Sequence, residues 1–148
     1  MNTTWTIVRF LHIAGAIIWV GGQLTVTLVV LPPAAKLLAV ADRAQLLRAV
    51  GRRFAIVTAM VFLPLQISTG VLLAMRRGIT WAALLQPGEG RVLLTKLVLF
   101  AAVMTAATVH GMLQARRRPA AARAASTAAL VGSLGVVFLG TWLAEGAG

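Results

Sequence analysis

Residues 5–31 read WTIVRFLHIAGAIIWVGGQLTVTLVVL, broken by charge only at Arg9 and closed by Pro32-Pro33. A helix rises 1.5 Å per residue, so about 20 residues cross about 30 Å of hydrocarbon. This run is longer than that and lacks the alternation of a membrane β-strand. Working outward from it, three more runs of spanning length follow, from about Phe54 to Met75, Val92 to Gln114 and Ala124 to Ala144. The expected fold class is all-α: an integral membrane bundle of four transmembrane helices in one domain, residues 1–148. The expected helices are about 5–31, 54–75, 92–114 and 124–144.

Composition agrees. Only 11% of the 148 residues are charged and 59% are hydrophobic. A soluble domain carries about a quarter charged residues, so this chain has too little polar surface to face water all round. Cysteine is absent, which removes disulfides, thiolate metal sites and thiol nucleophiles. The net charge of +11 does not indicate nucleic acid, because the cations lie between apolar runs and no aromatic-basic module accompanies them. They suit anionic lipid headgroups, so the bilayer is the expected partner. The acids Asp42, Glu89 and Glu145 sit in loops or at ends. No catalytic triad, phosphate loop or carboxylate pair is present, nor the intramembrane carboxylate usual in a proton-driven transporter.

The loops set an expected orientation. Arg52-Arg53 open the second run and Arg76-Arg77-Gly78 close it. Pro87-Gly88-Glu89-Gly90 form a turn before the third, and Arg116-Arg117-Arg118-Pro119 end it. The first loop holds Lys36, Arg43, Arg48, Arg52 and Arg53, and the third holds Arg116, Arg117, Arg118 and Arg123. Only Arg9, Arg76, Arg77 and Arg91 lie on the other side. By the positive-inside rule loops one and three face the cytoplasm and both termini face outward. The expected location is the cell (inner) membrane, multi-pass. Trp5, Trp81 and Trp142 then fall near the outer interface. Leu37, Val40, Leu47 and Val50 allow a short surface helix in the first loop.

Ionisable groups inside a span are costly and therefore functional candidates. His12 lies about 10 Å below the outer end of the first helix, and Lys96 about 8 Å into the third, at a similar depth. His110 lies about 21 Å beyond Lys96, so His12 and His110 do not clamp one metal together. His12, Gly15, Trp19 and Gly22 recur on one helical face. The glycines make a flat groove that suits a planar tetrapyrrole or a neighbouring helix. Lys96, Phe100, Val103, Ala107 and His110 share a face expected to look inward. In the second helix Pro64, Gln66, Ser68, Thr69 and Gly70 mark a kink or a polar wall. Met60, Met104 and Met112 with His110 are the candidate soft ligands for copper.

The stretch Leu11 to Gly22 resembles the opening helix of CopD-like (copper resistance D domain) membrane proteins. It is also similar to that of HemJ-type protoporphyrinogen oxidases, through His12, Trp19 and Gly22. Gly51-Arg52-Arg53-Phe54, Thr69-Gly70 and Gly90 to Leu97 also look CopD-like. The resemblance covers roughly residues 8 to 115 and implies a four-helix unit with a role in copper handling or haem chemistry. It implies haem b at His12 and Lys96, and, if the chain is an enzyme, a haem-dependent membrane oxidoreductase.

The leading expectation is therefore a haem-binding membrane protein with its site in the outer-leaflet half. His12 is the axial ligand, and Lys96 a second ligand or charge partner. Arg9 and Arg91 are placed to hold propionates, and Gly15, Trp19 and Gly22 line the groove. Two alternatives stand beside it. One is a copper transport or resistance factor with His12 or His110 as metal ligands. The other is a non-catalytic subunit of a membrane complex, or a self-associating chain, docking through Ala128-Gly132 and Ala129-Ser133.

Overall fold

A computed structural model of the chain describes residues 3–116 and 118–145. Arg117, counted above in the third loop, and the terminal residues 1–2 and 146–148 lie outside the described residues. The expected all-α class holds: no strand occurs among the described residues, and four helices are long and apolar enough to cross a membrane. The chain divides into two compact units, Met1–Arg76 and Arg77–Gly148, each a helical hairpin.

In the first unit α1 (Thr3–Leu24), a π-helical segment (Thr25–Val30) and α2 (Leu31–Leu37) run on as one rod. The expected stop at Pro32-Pro33 is thus corrected: the helix continues to Leu37. The wider π turn directs the Leu31 N–H to the Val26 carbonyl, five residues back. The prolines then occupy the opening turn of α2, where a missing N–H costs little. After Leu38 and Ala39 the chain turns into α3 (Val40–Val57), a second π segment (Thr58–Phe62) and α4 (Leu63–Arg76). The second helix therefore starts at Val40, well before the expected Phe54. The anticipated short surface helix is the beginning of this same rod. Pro64 again follows a π turn, in which the Leu63 N–H reaches the Thr58 carbonyl. At the opposite end the Arg76 guanidinium lies 5.0 Å from the centre of the Trp5 ring.

The second unit opens with a short 3-10 turn (Ala82–Leu85), followed by α5 (Glu89–Ala115) and α6 (Pro119–Glu145). Gly88 has φ 98°, a left-handed conformation that favours glycine, directly before Glu89 starts α5. Gly90 is held to glycine by a close approach, since a Cβ there would stand 1.8 Å from the Ala83 carbonyl oxygen. Neither backbone can yield cheaply, so Gly90→Ala is expected to displace the 3-10 turn. Faster limited proteolysis between Ala82 and Gln86 would register it; cleavage at the wild-type rate would contradict the contact. Along α5 and α6 the buried residues are Gly90, Val103, Ala122, Ala129, Ser133 and Leu143. The Ala129–Ser133 face, expected to dock a foreign subunit, is spent inside this hairpin. Apolar side chains such as Ile17, Ile18, Val98 and Phe138 point outward, as lipid-facing residues do.

Candidate functional site

The face predicted from His12, Gly15, Trp19 and Gly22 is the face on which the first hairpin closes. Gly15 abuts the Gln66 and Leu65 side chains, and Gly22 abuts the Phe54 ring. Trp19 is buried, stacked on Phe62 with ring centres 4.8 Å apart. Its indole N–H donates to Thr58 Oγ1 at 3.1 Å. Of the two readings the groove allowed, a neighbouring helix is what fills it at both glycines. Lipid offers no hydrophobic drive between helices, so small residues that permit close packing are the usual solution.

His12 is held from two sides. Its Nδ1 lies 2.8 Å from Thr69 Oγ1, and the Thr69 hydroxyl donates to the Leu65 carbonyl. A hydroxyl has one proton. With that proton on Leu65, Thr69 accepts from His12, so Nδ1 carries a hydrogen. The hydrogen-bond network, not a visible hydrogen, assigns this position. Gln66 Nε2 donates to the His12 backbone carbonyl at 2.7 Å, and Gly70 leaves room for the ring, its would-be Cβ 3.4 Å from His12 Cε1. Such an arrangement, an imidazole oriented through Nδ1–H, is what metal-ligating histidines use. Arg9, one turn away, is exposed.

Of the polar wall expected on the second helix, Gln66 and Thr69 bond directly to α1. Ser68 is exposed and turns back onto the Pro64 and Leu65 carbonyls. The sequence named Gln66 and Thr69 without linking either to His12. The signal available was spacing: Thr69 and Gln66, three apart, share the helical face that must meet His12 and Gly15.

In the second unit the predicted inward face of α5 does pack inward, against α6. Lys96 Nζ would stand 3.2 Å from a Cβ on Gly140, and Val103 fills the space at Gly132. His110 Nδ1 lies 2.8 Å from the Ala122 carbonyl, to which it must donate, tying the end of α5 to the start of α6. Arg91 is exposed and lines a shallow groove of about 340 Å³ with Pro87, Gly88, Val92, Thr95 and Leu139. Lys96 does not line that groove. Five residues apart on one helix, Arg91 and Lys96 project roughly 140° from one another.

Within the second unit, the residues considered for copper do not share one face of α5. Met104 and Met112, six before and two after His110, project from other faces of α5, and Met60 and Met112 are exposed. Among the described residues no three His, Cys, Asp or Glu side chains form a metal-holding group. Comparison with known proteins adds no relative: no family profile, no curated protein and no solved structure matches this chain.

Proposed function

We propose that this multi-pass membrane protein binds haem b, with His12 as an axial ligand through Nε2. The observation that carries the reading is the locked ring: an imidazole inside an apolar span, with Nδ1–H fixed on a buried threonine. Haem iron takes such a ligand, and bound haem supplies one-electron redox chemistry. The residues of this chain would then hold the ring orientation through Thr69 and shield it through Gly70 and Gln66. The glycine groove does not fit a tetrapyrrole, being filled by Gln66, Leu65 and Phe54. The reading therefore rests on the imidazole and not on a cradle. Arg9 as a propionate partner remains part of this proposal. So do a cell-membrane location and outward-facing termini.

The test is an optical spectrum of the protein purified in mild detergent from haem-replete cells. A Soret band that disappears in His12→Ala is expected. Colourless wild-type protein, or an unchanged band in the variant, would sink the proposal. Thr69→Val keeps the shape of the side chain but removes the oxygen that orients the ring. It should weaken haem retention by about 10–100-fold, the usual cost of losing such an outer partner. Retention equal to wild type in a haem titration would show that the Thr69 bond is packing alone.

A further inference from the structure

The contacts along the first hairpin set its two helices in an antiparallel register in which their polarity does not match. Gly22 stands level with Phe54, its would-be Cβ 2.8 Å from the ring, and Trp19 is level with Thr58. Beyond this level toward the Leu38–Ala39 turn, helix one stays largely apolar for nine more residues, to Leu31, roughly 13 Å. Leu28 and Val29 are exposed on it, and Gln23, Thr25 and Thr27 are its polar members. Over the same rise the partner helix carries Arg53, Arg52 and Arg48, roughly 2 to 9 Å past Phe54. All three arginines are exposed, and the nearest acid along that helix is Asp42. One flank of the hairpin thus calls for hydrocarbon at a depth where the other presents three guanidinium groups. A cation at hydrocarbon depth is expensive unless an anion meets it, and guanidinium pairs with phosphate in bidentate geometry.

We propose that Arg48, Arg52 and Arg53 bind the phosphate of an anionic phospholipid. Its headgroup is drawn down beside α3, and its acyl chains run from there toward the bilayer centre. A second copy of the chain is disfavoured as the occupant, because it would bring the same net positive charge to the same place. A lipid brings the phosphate to the arginines while its chains stay in hydrocarbon. The proposal needs only the span and the register, and stands apart from haem binding.

The experiment is native mass spectrometry of the full chain released from nanodiscs containing equal phosphatidylglycerol and phosphatidylcholine. Wild-type protein should retain phosphatidylglycerol preferentially. Arg52→Gln/Arg53→Gln should lower that retention by about fivefold for each arginine removed, and Arg116→Gln/Arg118→Gln should not. Circular dichroism of both variants checks that helix content is unchanged. Equal retention of the two lipids by wild type would overturn the proposal. So would an equal loss in the two variants, which would mean diffuse electrostatics. Displacement of the lipid by an equal concentration of glycerol phosphate would identify a site for soluble phosphate and reject the lipid.

Discussion

Gly132→Leu should loosen the second hairpin, and adding Val103→Ala should restore much of what is lost. A Cβ at Gly132 would stand 2.5 Å from Val103 Cγ2 and 3.8 Å from Leu99 Cδ1. Val103 is only 2% exposed, and a β-branched side chain in a helix has essentially one χ1 rotamer. It cannot swing aside, so α5 and α6 must separate. Overpacking of this kind costs about 1–3 kcal/mol. Relief from the poor helix propensity of glycine returns about 1 kcal/mol, and leucine adds bulk well beyond the Cβ, so the steric term should win. Val103→Ala alone leaves a small cavity and is also destabilising. The double variant should therefore melt above Gly132→Leu alone, giving a coupling of opposite sign to either single effect. Thermal unfolding in detergent, read as loss of the monodisperse peak, checks this. A Gly132→Leu protein melting with wild type would mean that the two helices do not meet at this point.

The four spans were legible because a bilayer imposes a length and a polarity that composition cannot hide. The rod ends were less so. Pro32-Pro33 is a strong stop signal in water-soluble helices, yet here a π turn reroutes the Leu31 N–H to Val26, and no residue pattern announces such a turn. Val40 to Arg53 reads as a charged loop or a surface helix, because hydropathy marks where lipid ends and not where hydrogen bonding ends. The α3 rod carries straight through that boundary.

At the candidate site, the face formed by His12, Gly15, Trp19 and Gly22 followed from helical periodicity alone, as did the inward face of Lys96, Val103 and His110. What periodicity could not give was the occupant of the groove. Gly15 and Gly22 leave the same space whether a ring or a helix fills it, and only the register with Gln66 and Phe54 decides. His110 shows a second limit. Its bond to the Ala122 carbonyl depends on how tightly α5 turns into α6, a property of the loop geometry and not of the histidine's neighbours in sequence.

Single-cysteine labelling should find loop two outside the cell and loop three inside. Nine cations stand in loops one and three against four on the opposite side, Lys96 being left out as intramembrane. Each cation near an anionic cytoplasmic leaflet gains about 1 kcal/mol. An excess of five is expected to set the orientation even if one or two are displaced. The hairpins add weight to the tally: Lys36 beside the first turn and Arg48, Arg52 and Arg53 further along α3 are exposed, as are Arg116, Arg118 and Arg123 around the second. On the other side Arg76 is partly engaged over Trp5. The chain has no cysteine of its own, so any label reports the introduced one. Gln86 and Ala120 are both exposed, which makes Gln86→Cys and Ala120→Cys gentle probes of loops two and three. A membrane-impermeant maleimide added to intact cells should label Gln86→Cys fully and leave Ala120→Cys unlabelled until the membrane is permeabilised. The reverse pattern would invert the orientation and move the His12 end of the first helix to the cytoplasmic leaflet. Equal labelling of both would mean that the chain inserts in two directions, with the charge excess too small to choose between them.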